Sequence, residues 1–179
     1  MTSVCIFCGS KSGLRKEYTE SAQHLGRLFV QHNIAMVYGG ATNGLMGTIA
    51  DTMMSAGGKV IGVIPTLIAE RELAHKGISE LHIVSSMSER KTKMLELSDA
   101  FITLPGGVGT MDEMFEVLAF THLRVNEKLV GVLNILGFYD SLLKYVDHAV
   151  AEGFVPEHVK EQIIVAAEPK QLLSSMKLI

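Results

Sequence analysis

The sequence predicts one doubly wound, Rossmann-like α/β domain, a mostly parallel sheet flanked by helices, spanning residues 1–179. Three observations predict it. Short apolar runs alternate with longer segments of helical spacing. The runs are nearly continuous in Val, Ile and Leu, the pattern of strands covered on both faces. Three of the runs end in glycine-rich turns that lead toward a helix, and ligands of such folds sit beyond the carboxyl ends of the strands.

Taken in order, residues 4–8 form a buried strand ended by Gly9-Ser10. Residues 16–32 follow with helical spacing, Ala22, Leu25, Leu28 and Phe29 sharing one side. Residues 34–38 are a second strand, cut by Gly39-Gly40, and residues 45–55 a helix stopped by Gly57-Gly58. Residues 59–64 are a third strand, closed by Pro65, and residues 67–76 are irregular with one helical turn. A strand over 81–84, a helix over 89–97 and a strand over 100–104 lead into Pro105-Gly106-Gly107. A helix over 111–123, a strand over 129–133 and a helix over 139–152 follow. A short strand over 163–165 and a helix opened by Pro169 close the chain.

Composition narrows the function. With 179 residues, 47% of them apolar, the chain has enough to bury a core, unlike a disordered segment. A net charge of −3 argues against a nucleic-acid partner, which calls for a basic surface. No run approaches a membrane span, and no basic-then-apolar leader opens the sequence, so a cytoplasmic protein without a membrane role is expected. Cys5 and Cys8 make no disulfide framework. They fall in or at the end of a strand and point to opposite faces, which suits core positions better than a redox pair. The scattered histidines show no metal-ligand spacing, so no metal is expected.

The turns at residues 9–13, 39–44 and 105–110 are the chemically suggestive feature. Glycine lets a ligand approach the backbone, and free N–H groups at the following helix start hold phosphate. Tight strand-to-helix turns also need glycine for purely structural reasons. No Walker A loop and no Gly-x-Gly-x-x-Gly fingerprint is present, so a mononucleotide or sugar phosphate fits better than a dinucleotide. Thr110 and Glu113 have capping-box spacing, with Thr110 as the N-cap. The same carboxylate stands beside the most glycine-rich turn, and Glu116 lies one turn on. Ser88-Glu89-Arg90-Lys91 is a charged cluster at a helix start, either a solvated face or an anion clamp through Arg90. Arg71-Glu72 is a weaker candidate pair in the irregular stretch.

Six blocks, in order, carry a resemblance: Val4-Cys5-Ile6-Phe7-Cys8-Gly9-Ser10, the Tyr38-to-Gly47 segment, Val60-Ile61-Gly62-Val63-Ile64-Pro65, Glu89-Arg90-Lys91, Pro105-Gly106-Gly107-Val108-Gly109-Thr110-Met111-Asp112-Glu113, and Leu133-Asn134-x-x-Gly137-Phe138-Tyr139. Together they resemble the LOG ("lonely guy") family of cytokinin riboside 5'-monophosphate phosphoribohydrolases, formerly labelled lysine decarboxylases. The resemblance implies hydrolysis of the N-glycosidic bond of a nucleoside 5'-monophosphate to free base and ribose 5-phosphate, without metal or organic cofactor. It places catalysis on Arg90 and Glu113, with Glu72 and Lys91 in the pocket. It implies phosphate and ribose contacts from Gly9, Ser10, Gly40, Gly107, Gly109 and Thr110, in a homodimer or larger homo-oligomer. The chain departs from the family pattern at Ala41, at Ser88 and across Ala119 to Asn126, a segment expected to help form the base pocket and subunit contact. Base preference therefore stays open.

Two other functions compete. A non-catalytic nucleotide or molybdenum-cofactor carrier would use the same glycine turns. Amino-acid decarboxylation would need an electron sink such as pyridoxal phosphate, and no lysine is marked for it.

Overall fold

The computed structural model describes residues 1–70, 74–125 and 128–179. Among the described residues, one sheet takes seven strands, all parallel, in the order β4-β3-β2-β1-β5-β6-β7. The strands are β1 (Ser3–Phe7), β2 (Ala35–Tyr38), β3 (Val60–Pro65), β4 (Glu80–Val84), β5 (Ala100–Thr103), β6 (Val130–Leu133) and β7 (Ile163–Ala166). The helices between and after them are α1 (Lys16–Gln31), α2 (Gly44–Ser55), α3 (Thr66–Ala69), α4 (Met87–Glu96), α5 (Val108–His122), α6 (Asp140–Ala151), α7 (Glu157–Glu161) and α8 (Pro169–Ser175). The α/β expectation holds.

Strand alternation divides the interior in two. Val4, Ile6 and Cys8 face one core with Met36, Tyr38 and Ile102, covered by α1, α2 and α8 through Leu25, Phe29, Ile49 and Leu172. Cys5, Phe7, Val37 and Phe101 face the other, covered by α4, α5 and α7 through Met94, Met114, Val117 and Val159. Cys5 and Cys8 thus lie on opposite faces as buried free thiols. Because both faces are covered, the strands carry apolar side chains on each side. The edge strands β4 and β7 are the exceptions: each leaves positions exposed.

The topology positions the site. From β1 the chain builds outward through β2, β3 and β4, then returns to lay β5 on the other side of β1. At that reversal the turns after neighbouring strands diverge and leave a crevice at the strands' carboxyl ends. Here the Gly9 turn and the Pro105–Gly107 turn meet, and the Gly9 N–H donates to the Pro105 carbonyl at 3.1 Å.

Three local expectations need correction. Thr110 is not a helix cap: α5 starts at Val108 with Gly107, which has no side chain to cap with, as N-cap. Thr110 sits in the first turn, buried, and Glu113 in the second, where its side chain turns inward. The capping box stands instead at α4, where the Ser86 hydroxyl accepts from the Glu89 N–H at 3.1 Å. The Glu89 carboxylate returns to the Ser85 N–H at 2.8 Å and the Ser85 hydroxyl at 2.6 Å, one residue earlier than in the standard box. Finally, α7 and a 3-10 turn at Ile135–Gly137 occur in stretches read as connections.

Candidate active site

Arg90 and Glu113 meet above the sheet although 23 residues separate them. Each reaches the site for a local reason. The Ser86 cap fixes the start of α4 and places Arg90 in its first turn, pointing toward the carboxyl end of β2. There the guanidinium lies on the Gly39 backbone, and a Cβ at residue 39 would fall on Arg90 Nη2. Glu113 is brought over the end of β1 because α5 starts directly after the Gly106-Gly107 turn.

Arg90 Nη2 donates to Glu113 Oε1 at 2.9 Å, with the two side chains only 11% and 10% exposed. Burial pushes the Glu113 carboxyl up, the Arg90 guanidinium pulls it down, and the Asp112 carboxylate adds to the rise, leaving it at about 7. Burial wins because, among the described residues, the carboxylate's hydrogen bond is the one from Arg90 to Oε1, so the charged form is poorly compensated for the water it has lost. A carboxyl at this value exchanges protons readily near neutrality. Burial, with the Glu113 carboxylate nearby, also raises the Cys8 thiol, which therefore stays neutral.

Lys91 is placed differently from its expected role in the pocket. Its amine lies 3.2 Å from Asp112 Oδ2 and 3.2 Å from Glu116 Oε2, tying α4 to α5. Burial pulls this amine down, but the hydrogen bonds to Asp112 and Glu116 outweigh it and hold it above its ordinary value. A Schiff-base lysine needs the reverse, an amine that sheds its proton. Lys91 thus does not fit a pyridoxal-type electron sink.

The glycine turns divide by role. Gly9, Ser10 and Gly107 line a cavity of about 390 Å³ at the switch point. Among the described residues, Gly107 and Gly109 have nothing within 4 Å of where a Cβ would stand, so packing against these does not demand glycine at either. What they leave is open space beside the free N–H groups of the first turn of α5, where the helix dipole favours an anion. Thr110 is buried against Gly106, whose missing Cβ makes room for its hydroxyl. Gly40, with φ of +75°, serves packing more visibly: its carbonyl accepts from the His75 N–H at 2.9 Å and its Cα lies close to Gly62. Glu72, with Arg71, lies outside the described residues.

The structure adds residues that sequence reasoning missed. Tyr18, Leu45 and Phe138 line the switch-point cavity with the Gly9–Gly13 turn. Phe138 stood within a recognised block but drew no role; Tyr18 carries no local signal. Of the Ala119–Asn126 segment, Asn126 lies outside the described residues; residues 119–125 are at and just beyond the far end of α5, about 20 Å along a 15-residue helix from the glycine turn. Within one chain it does not reach the site.

A doubly wound α/β protein with a buried Arg–Glu pair beside an anion-accepting helix start defines, as a class, a protein built to act on a small phosphorylated ligand. Comparison with known proteins agrees with this class. A family model described as "Possible lysine decarboxylase" matches residues 46–176. A "Probable cytokinin riboside 5'-monophosphate phosphoribohydrolase" of Oryza sativa subsp. japonica is 44% identical over 97% of this chain and 77% of its own length. A cytokinin riboside 5'-monophosphate phosphoribohydrolase of Arabidopsis thaliana is 44% identical over 97% of this chain and 82% of its own. The chain belongs to this family, the LOG phosphoribohydrolases that share the lysine-decarboxylase-like family model. Among solved structures, the molybdenum cofactor carrier protein of Chlamydomonas reinhardtii superposes with a TM-score of 0.76 at 19% identity, covering 99% of this chain and 96% of that one. The molybdenum cofactor binding protein of Rippkaea orientalis superposes with a TM-score of 0.73 at 19% identity and the same coverage. These two likenesses show the fold.

Proposed function

We propose that the chain hydrolyses the N-glycosidic bond of an adenosine 5'-monophosphate, N6-modified or plain, to free base and ribose 5-phosphate. The observation that carries the reading is the Arg90–Glu113 pair: a buried carboxyl poised at about 7, held at 2.9 Å by a guanidinium that lies on the Gly39 backbone just after β2. The 5'-phosphate lies at the start of α5, in the space left by Gly107 and Gly109, with Gly9, Ser10 and Thr110 around it and Gly40 and Lys91 supporting the surrounding elements.

Departure of the base builds positive charge on C1′ and the ring oxygen. Glu113, ionised, faces that charge and takes a proton from the attacking water. The water oxygen bonds to C1′, the C1′–N bond breaks with its electron pair passing to the base, and the proton held by Glu113 ends on the departing nitrogen. Arg90 keeps Glu113 in place and partly ionised. Water is the co-reactant, and no metal or organic cofactor is needed.

We further read the working form as a cytoplasmic homodimer or larger homo-oligomer. Phe115, Leu123, Val125 and Tyr145 expose apolar surface around the outer face of α5, and a second copy packed there would cover it. Such packing would also bring the Ala119–Val125 segment of one copy toward the site of the other.

The test is product analysis with AMP, N6-isopentenyl-AMP and adenosine. Equal amounts of base and ribose 5-phosphate from the monophosphates, with little base from adenosine, support the reading. Inorganic phosphate plus intact nucleoside, or binding without turnover, refutes it.

A further inference from the structure

We propose that Tyr139 is a positioning residue for the anion-accepting start of α5, acting through the Pro105–Gly106 peptide, and that Asn134 holds Tyr139 in place. The inference rests on the reading that a phosphate-bearing ligand sits at that helix start, and it names the side chains that keep the start aimed. Tyr139 stands just before α6 and is 2% exposed. Its hydroxyl crosses to the turn after β5 and donates to the Leu104 carbonyl at 2.7 Å. The same oxygen takes a hydrogen bond from the Gly106 N–H. Burial pushes the phenol up, so it keeps the proton it donates.

The Pro105–Gly106 peptide is thereby pinned at both ends. Its N–H is held by Tyr139, and its carbonyl accepts from the Gly9 N–H at 3.1 Å. The next residue, Gly107, is the N-cap of α5. Gly106 and Gly107 lack a Cβ, and such residues have the most backbone freedom to lose. A site built from backbone N–H groups binds an anion well only if those groups are already aimed, since ordering them on binding lowers affinity. The peptide pinned between Gly9 and Tyr139 supplies that order from the residue before the cap.

Tyr139 is fixed in turn by a polar elbow at the end of β6. Asn134 Oδ1 accepts from the Tyr139 N–H at 2.7 Å, and Asn134 Nδ2 donates to Asp140 Oδ1 at 2.7 Å. The Asn134 N–H donates to the Ala166 carbonyl at 2.9 Å, which roots the elbow in the sheet edge beside β7. Between these anchors Leu136 is left-handed, with φ of 54°, a conformation that persists in a leucine where its surroundings over-determine it. A Cβ on Gly137 would fall on the Asp140 carboxylate, so the elbow closes tightly around Asn134.

The test is calorimetric binding of ribose 5-phosphate and of adenosine to full-length protein in a Glu113→Gln background, with steady-state kinetics on AMP in the wild-type background. Tyr139→Phe removes the hydroxyl and keeps the ring. It should weaken ribose 5-phosphate by about three- to tenfold, the worth of one hydrogen bond, and leave adenosine within about twofold. On AMP it should raise KM by the same factor with kcat within about twofold. Asn134→Ala should act in the same direction, and the double variant should be no weaker than Tyr139→Phe alone, because both act through one contact. If Tyr139→Phe does not fold, Asn134→Ala decides by the same readings. A lowered melting temperature with ribose 5-phosphate binding unchanged would make the contact structural, and equal weakening of adenosine would make it a general loosening of the fold; either overturns the proposal. A wild type that releases no base from AMP, while its ribose 5-phosphate binding follows this pattern, would contradict the hydrolase reading and leave the role of Tyr139 standing.

Discussion

Arg90 Nη2 lies 2.9 Å from Glu113 Oε1, and the carboxyl nevertheless sits at about 7 rather than below its ordinary value. An exposed carboxylate so close to a guanidinium would be held ionised well into the acid range. Burial reverses that, and the reversal makes the group useful as a base near neutrality.

The first consequence is kinetic. Glu113→Gln keeps an oxygen for Arg90 but removes the titrating group. It should lower kcat by about 10²- to 10⁴-fold, the usual worth of a positioned acid–base group, with KM changed little. Steady-state kinetics of base release read both numbers.

The second concerns pH, where activity and stability move oppositely. Activity needs the Glu113 anion, so kcat/KM should rise through about pH 7 and level off above it. For stability, the folded carboxyl is raised from an unfolded value of 4.5, so the folded state binds more protons between these two values. Its contribution is therefore present in full below about 4.5 and is lost as pH rises to about 7. Urea melts at intervals across that window, compared with Glu113→Gln, isolate the slope, which the variant should lack.

A third follows from removing the partner. Arg90→Ala leaves Glu113 buried without its counter-charge. The carboxyl should rise further, and the acid limb of the pH–rate profile should move to higher pH than in the wild type. Breaking a buried pair in this way should also cost about 3–5 kcal/mol of stability, readable by denaturant melts.

Two neighbouring glycines separate packing from binding. Among the described residues, Gly109→Ala meets nothing within 4 Å. It should stabilise α5 by about 0.5–1 kcal/mol and yet weaken phosphate-bearing ligands. Gly106→Ala would run into the Thr110 side chain and the Gly9 nitrogen, and it should destabilise the fold outright. Thermal melts with and without ribose 5-phosphate distinguish the two.

Much of this was legible in the sequence, for identifiable reasons. Runs such as Val60-Ile61-Gly62-Val63-Ile64 are apolar at consecutive positions because helices cover both sheet faces, and that made the parallel strands readable. The glycine turns marked the carboxyl edge because three of them punctuate strands. The pairing of Arg90 with Glu113 was not readable from spacing; it depends on how α4 and α5 pack on one face, and the family blocks supplied it. Thr110-x-x-Glu113 misled because a capping box and a glycine-capped helix three residues longer at its start share the same letters. The true box, Ser86-x-x-Glu89, carried the same signal and was passed over for the charges beside it. Tyr18 left no trace, since half-buried helix tyrosines are ordinary; only the fold brings its ring to Phe138.

The measurement that bears most directly on the central claim is release of free base from AMP by wild-type protein and by folded Glu113→Gln, with ribose 5-phosphate quantified in the same samples. The account predicts equimolar base and ribose 5-phosphate from the wild type and a loss of at least about 100-fold in the variant. Equal rates from the two proteins would contradict the role of Glu113, and no base from the wild type with either AMP or N6-isopentenyl-AMP would contradict the proposed reaction.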